Sequence, residues 1–331
     1  MHLLRIAIGV STLVAVAVAT PGVAGAAPSV AAEAGSVAVG SDLVPVFDPA
    51  TRQARMATST TAAAVISAYW TPERIAAAKP VTNVGGMSAP DRRTEGKPQL
   101  VAAPTAAKAD LSLAVAFTNT EGRVFYRDPA DGLDHACSAG AVNSGKRRLV
   151  LTAGHCVYGN GGWMENWVFK PGYNFGAGSA GIFPAFQLWA QGGWINNRDR
   201  HYDYAFAITQ NNSSGQRIVD AVGGNGLQIN PGRPFITFIG YPSNVAGGEQ
   251  QASCQGQLSR RSITNSDQKL NCNLGTGSSG GPWLRDFANG LGIAVSNTSY
   301  GINPDPQGPV FGPYYDGDTL NLYNAAENAS P

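Results

Sequence analysis

The chain has 331 residues and a formal net charge of +1 at neutral pH, so it carries no electrostatic footprint for nucleic acid or an anionic membrane. A charged fraction of 14%, with 41 glycines and 21 prolines, argues for many turns and against helices with solvated charged faces. With 43% hydrophobic residues it can bury a sizeable core, enough for two ordinary domains or for one domain with processed segments.

The first element in chain order is an export signal. Arg5 gives a short basic start, and Ile6 to Ala19 is an apolar run of 14 residues. Pro21 and Gly22 break it, and Ala24-Gly25-Ala26 supplies small residues of the A-x-A type, which assigns residues 1–26 to a secretory signal peptide. The run is shorter than the roughly 20 residues needed to span a bilayer, which disfavours an anchor, and no later stretch is long or apolar enough.

Residues 27–108 are rich in Ala, Val, Ser and Thr and hold no cysteine. Thr71-Pro72-Glu73-Arg74, followed by Ile75 to Lys79, reads as a helix start, with a cap candidate and proline at the first position. Gly85-Gly86, Pro90, Arg92-Arg93 and Pro98 make a protease-sensitive composition. The segment reads as a propeptide, against a bland linker, with a boundary between about 80 and 115.

From 109 to 331 short apolar stretches recur between Gly, Asn, Asp and Pro clusters: Leu149-Val150-Leu151, Tyr204 to Ile208, Pro234 to Ile239 and Leu291 to Val295. That spacing predicts an all-β barrel or sandwich. Asp318 followed by Thr319 to Ala326 predicts a short C-terminal helix. Four cysteines in an exported chain imply two disulfides, and three pairings are open. None forms a CxxC pair, so zinc and dithiol redox chemistry are not expected.

The chemistry centres on two stretches. His155 sits in Leu151-Thr152-Ala153-Gly154-His155-Cys156, on a short strand-like run beside a disulfide-capable cysteine, where a general base can be held rigidly. Ser279 sits in Gly275-Thr276-Gly277-Ser278-Ser279-Gly280-Gly281-Pro282. Glycines flanking a nucleophile permit tight backbone geometry and leave N–H groups free for an oxyanion. Alone, such a loop is most often a plain turn. Together, Thr-Ala-Gly-His-Cys and Gly-Ser-Ser-Gly-Gly-Pro, in that order and 124 residues apart, resemble the trypsin-like serine protease family.

The resemblance covers roughly residues 112–325. It implies two antiparallel six-stranded β-barrels with the cleft between them. It implies His155 as general base, Ser279 as nucleophile, and the N–H groups of Gly277 and Ser279 as the oxyanion hole. The family's acid lies between His and Ser. Of Asp199, Asp203, Asp220 and Asp267, Asp203 has the matching context, Asp203-Tyr204-Ala205-Phe206, and Asp199 is the alternative. The family's bridge beside the histidine implies Cys137 with Cys156, and with it Cys254 with Cys272. Val295-Ser296-Asn297 is the expected strand for pairing with substrate, against ordinary strand packing.

Departures matter too. Ser278 stands where the family commonly has Asp, which receives a new N-terminus on activation, so the propeptide is expected to act instead as inhibitor or chaperone. Gly240-Tyr241-Pro242 resembles secreted bacterial glutamyl endopeptidases, but their Gly-Ile-His reads Gly292-Ile293-Ala294 here, so a histidine-based Glu pocket is not expected. Asn273, six before Ser279, falls in an altered cysteine register. His201 is expected at the surface. Trp163, Trp167, Trp189, Trp194 and Trp283 are expected as core or barrel-edge fillers. No acidic cluster has a Ca²⁺-loop spacing, so neither metal nor cofactor is expected.

An α/β-hydrolase needs a histidine after its serine, and none of the four histidines follows Ser279. The subtilisin order would need Asp131 or Asp134 and alternating helices. An inactive, trypsin-like binding protein would be expected to have lost a triad member. The expectation is a secreted, monomeric serine endopeptidase acting on proteins or peptides.

Overall fold

The computed structural model describes residues 36–81, 95–108, 118–301 and 308–331, apart from 42, 50–52 and 57–58. Residues 1–26, read as the export signal, lie outside the described residues.

The leading segment forms β1 (Ala38–Gly40), β2 (Pro45–Asp48), β3 (Gln53–Met56), α1 (Ser59–Tyr69), α2 (Pro72–Ala77) and β4 (Lys79–Pro80). The helix start expected at Thr71 is present. The Thr71 hydroxyl accepts from the Arg74 N–H and Pro72 occupies the first turn, where its missing N–H costs nothing. Next comes β5 (Gln99–Ala102), a strand of the second half of the molecule although it precedes residue 109.

The first half contains β6 (Glu121–Arg127), β7 (Asp134–Val142), β8 (Leu149–Thr152), the small hairpin β9 (Tyr158–Gly159) and β10 (Gly162–Trp163), β11 (Glu165–Pro171), β12 (Phe183–Gln191), α3 (Gly192–Asn197) and β13 (Ala205–Thr209). Strands β12, β11, β6, β7, β8 and β13 pair in that order, and β12 pairs β13, closing an antiparallel six-stranded barrel. Side-chain alternation explains its near-continuous apolar strands. Val150, Ala205 and Ala207 belong to one buried cluster, while Leu149, Leu151, Phe206 and Ile208 belong to another on the opposite face. Both faces are covered, so hydrophobic residues stand at consecutive positions.

After α4 (Ile218–Val222) come β14 (Gly226–Ile229), β15 (Phe235–Gly240), β16 (Ala252–Gln257), β17 (Ser259–Ser262), β18 (Asn265–Leu270), β19 (Pro282–Ala288), β20 (Leu291–Asn297), β21 (Tyr300–Gly301), β22 (Val310–Gly312) and α5 (Gly317–Ala329). They build a six-stranded sheet, β16-β15-β19-β20-β14-β5, and a four-stranded sheet, β17-β18-β22-β21. Among the described residues of these two sheets one pair departs from the antiparallel pattern: β14 runs parallel to β20, with Gly226 opposite Ile293.

Helix α5 is where the sequence put it, but Asp316 caps it rather than Asp318. The Asp316 carboxylate accepts from the Asp318 N–H at 3.0 Å, and the Thr319 hydroxyl accepts from the Asp316 N–H. Its Leu322, Tyr323 and Ala326 are buried against the outer face of the first barrel, with Tyr323 edge-on to Phe206. Full burial of a side chain such as Leu322 contributes about 1.5–3 kcal/mol.

Candidate active site

His155 is held by its neighbours in sequence. β8 ends at Thr152, and a 3-10 turn, Gly154–Cys156, follows. The Cys137–Cys156 disulfide ties that turn to β7, and the second bridge joins Cys254 to Cys272. Gly154 has to be small, because a Cβ there would lie 2.9 Å from the Trp194 ring and 3.1 Å from an Asp203 oxygen.

Asp203 follows a second 3-10 turn, Arg200–Tyr202, and leads into β13. Asp199, the alternative acid, caps this turn by accepting from the His201 N–H at 3.1 Å. Asp203 instead faces His155. Its Oδ1 accepts from the His155 backbone N–H at 2.8 Å, and the ring Nδ1 lies 3.0 and 2.9 Å from its two oxygens. Arg200 donates to Oδ2 at 3.3 Å, and the Ser299 hydroxyl donates to the same oxygen. The carboxyl is fully buried. Burial pushes its pKa up, but the charge and hydrogen bond of His155, the Arg200 charge and the Ser299 hydroxyl outweigh it and bring it to about 2.

Ser279 lies in the loop before β19. Gly277 and Gly280 take φ of 85° and 79°, a region open mainly to glycine. The loop locks onto the first barrel: the Ser138 N–H donates to Ser279 O at 2.8 Å, and the Ser138 hydroxyl donates to Gly277 O at 2.8 Å. A Cβ on Gly280 would meet the Thr152 hydroxyl and come within 2.8 Å of Ala153 N, so the loop presses against the run that carries His155. Ser278 turns its hydroxyl into its own loop, onto Gly275 O at 2.8 Å.

Val295-Ser296-Asn297, expected to pair with substrate, are buried. They lie within β20, with Val295 in a core cluster and Ser296 and Asn297 fully buried. Ser296 donates to Pro313 O, and Asn297 donates to the Asp203 carbonyl at 3.1 Å while accepting from Tyr315. Strand β21 also comes close: its Tyr300 follows Ser299, whose hydroxyl donates to Asp203, and among the described residues β21 ends its sheet.

His201 is not at the surface. It is 3% exposed, and its Nδ1 lies 2.7 Å from Oδ1 of the fully buried Asp267 on β18. The Tyr300 hydroxyl donates to the other Asp267 oxygen at 2.6 Å, and Arg261 donates to that hydroxyl. Trp167 and Trp283 are fully buried fillers as expected, whereas Trp194 packs beside His155 with ring centroids 6.1 Å apart.

A cavity of about 680 Å³ opens beside His155, lined by Trp194, Arg200, Tyr158 and, from the leading segment, Lys79, Pro80 and Val81. Asn273 borders a separate cavity of about 530 Å³ with Asn271 and Pro309. Asp128, Asp131 and His135 place donor atoms within 4.8 Å of one another. Their bonds, from Ala130 N–H, Leu133 N–H and His135, are those of a hairpin turn.

No family model matches the sequence, and no curated protein does. Solved structures do. The thermostable serine protease AL20 from an extremophilic microorganism is 32% identical over 99% of its own chain and 64% of this one, with a TM-score of 0.59. The protease Anisep from Arthrobacter nicotinovorans is 30% identical over 100% of its chain and 68% of this one, also at 0.59. A Glu endopeptidase is 19% identical over 99% of its chain and 69% of this one, at 0.52, a likeness of fold. With full-length relatives at this identity, the chain belongs to the trypsin-like serine protease family and is a serine-type hydrolase.

Proposed function

We propose that the chain is the precursor of a secreted endopeptidase that cleaves peptide bonds with Ser279 as nucleophile, His155 as general base and Asp203 as the orienting acid. The observation that carries this is the buried Asp203 carboxylate on His155 Nδ1, next to the loop of Ser279. A carboxylate only accepts, so the Nδ1 atom carries the proton and Nε2 is left as the base. His155 takes the Ser279 proton as the hydroxyl attacks a peptide carbonyl. The N–H groups of Gly277 and Ser279 hold the oxyanion, each worth about 10²–10³-fold in rate. His155 then protonates the leaving amine, and water releases the acyl group. The steps use side chains and backbone amides of a single chain, in keeping with a monomer.

An extended protein or peptide substrate would lie along β21, which follows the Ser299 hydroxyl on Asp203 and ends its sheet among the described residues. Two disulfides and the apolar start of the sequence support export. Among the described residues no helix is long and apolar enough to cross a membrane. Because β5 belongs to the second sheet, we place maturation before Gln99, with the preceding residues from 27 as propeptide.

Labelling of the processed protein with a fluorophosphonate, read by mass spectrometry, tests the reading. An adduct on Ser279 that vanishes in His155→Ala is expected. A folded, processed protein that stays unlabelled would instead be a trypsin-like binding protein.

A further inference from the structure

The leading segment does more than cover the first barrel. β4 lies parallel to β7, with Lys79 opposite His135 and Pro80 opposite Ala136. At its end the Val81 N–H donates to Ala136 O at 3.0 Å, and the Val81 carbonyl accepts from the Gly277 N–H at 3.0 Å. Gly277 is the residue whose N–H the proposed mechanism aims at the oxyanion. Pro80 seals the contact from the side: a Cβ on Gly277 would lie 3.1 Å from the Pro80 ring.

We propose that Lys79-Pro80-Val81 is an inhibitory strap, and that the precursor is held inactive because the Val81 carbonyl occupies the oxyanion donor of Gly277. This rests on the catalytic reading of Gly277 and Ser279 given above. One N–H serves one strong acceptor, so a substrate carbonyl must displace Val81 before its oxyanion can be stabilised. The strap sits close to its target because the chain before it is anchored. Helix α2 ends at Ala77, two residues earlier, and Ile75 and Ala78 are buried. The Trp70 indole donates to Asn166 O at 2.5 Å, Tyr69 donates to Asp134 at 2.6 Å, and Val46 and Ile66 are fully buried. A tethered carbonyl held this way competes at high effective concentration. Proline suits the edge of β7, since it has no N–H to leave unpaired there.

The same anchors imply that cleavage between Val81 and Gln99 cuts the strap from the protease without dislodging it. β1 pairs with β12 through Ala38, Val39 and Gly40, so the severed segment stays bound to the barrel. Activity then waits for loss of residues 36–81, not for the cut alone.

The test compares the intact chain with processed protein that has lost residues 36–81, the two being told apart by mass. Ser279 in the intact chain is expected to react with a fluorophosphonate about 100-fold or more slowly, the worth of one oxyanion donor. Deleting residues 79–81 while keeping 36–78 is expected to restore most of that rate. Equal labelling of intact and processed forms overturns the strap. No labelling of the processed form overturns the catalytic reading and the strap with it. Hydrogen exchange gives a readout independent of chemistry and of the deletion: in Ser279→Ala protein, the Gly277 amide is expected to be protected in the intact chain and to exchange faster once 36–81 are gone. Unchanged exchange overturns the proposal.

Discussion

Replacing Asp267 with alanine removes the acceptor at the centre of a buried network that joins the two halves of the molecule. His201 comes from the 3-10 turn that ends at Tyr202, just before Asp203, and Tyr300 comes from β21. Both lose a hydrogen bond to Asp267 of 2.7 and 2.6 Å. Depriving a buried polar group of its partner costs about 1–3 kcal/mol, so two such groups cost roughly 2–6 kcal/mol. For a chain of 331 residues that is a fall in Tm of roughly 3–9 °C. The turn leads directly into Asp203, the proposed orienting acid, and loosening it misplaces Asp203 against His155. A misplacement near 1 Å lowers rate by about 100-fold, so fluorophosphonate labelling of Ser279 at a temperature where the variant is folded should drop tenfold or more. Asp286→Ala, an exposed carboxylate on β19, serves as the control. His201→Ala with Asp267→Ala completes a cycle in which the pair should couple by about 1–3 kcal/mol. A Tm within 1 °C of the parent, or additive single effects, would refute the argument that Asp267 joins the two halves.

Asp203→Asn keeps the shape but not the charge, and should lower the labelling rate by about 10⁴-fold by favouring the wrong histidine tautomer. Because the folded state holds the Asp203 pKa down at about 2, its stabilisation is present above the ordinary aspartate range. It is lost as pH falls from about 4 towards 2, and a pH series of Tm in the variant should lack that loss. Glu121 shows the opposite sign: complete burial pushes its pKa well above the ordinary range, only partly offset by hydrogen bonds from Asn225 and Thr120. The unfolded chain ionises first as pH rises, so Glu121 erodes stability above about pH 4–5. Glu121→Gln should match the parent at pH 4 and melt higher at pH 8. Removing the second bridge by Cys254→Ser with Cys272→Ser opens a loop with a sequence separation of 18 and should cost about 3 kcal/mol in chemical unfolding.

The sequence made His155 and Ser279 legible because each sits among residues whose smallness is itself a requirement. Gly154 must clear Trp194 and Asp203, and Gly277 and Gly280 must take positive φ. Asp203 was legible from the alternating strand behind it. What stayed hidden depends on contacts across long separations. Val295-Ser296-Asn297 and Ser299-Tyr300-Gly301 look alike as short polar-apolar runs, and only strand pairing decides which belongs to the six-stranded sheet and which leads into the four-stranded one. His201 has no local mark at all, since its partner is 66 residues away on β18. The closed ring of six strands was likewise not written in any one strand. It follows from β12 pairing with both β11 and β13. The strap left the faintest trace, because Val81 acts through its backbone and any residue supplies a carbonyl.

That last point bears on why a precursor needs such a strap. An oxyanion hole made of backbone amides works because its donors have no partner inside the folded enzyme, and a donor left without any partner is costly. In the mature site solvent or substrate must fill the role. During folding neither is dependable, since the loop of Ser279 must close against Ser138, Thr152 and Thr298 at once. A carbonyl supplied from within the chain satisfies Gly277 while those contacts form, and it denies the site to substrate in the same act. Inhibition and assistance to folding are then two consequences of one hydrogen bond. They predict a shared dependence: a precursor lacking residues 79–81 should label faster and refold more slowly from urea than the intact chain, with refolding followed by tryptophan fluorescence in the Ser279→Ala background. Faster labelling with unchanged refolding would confine the strap to inhibition and refute its role in closing the loop.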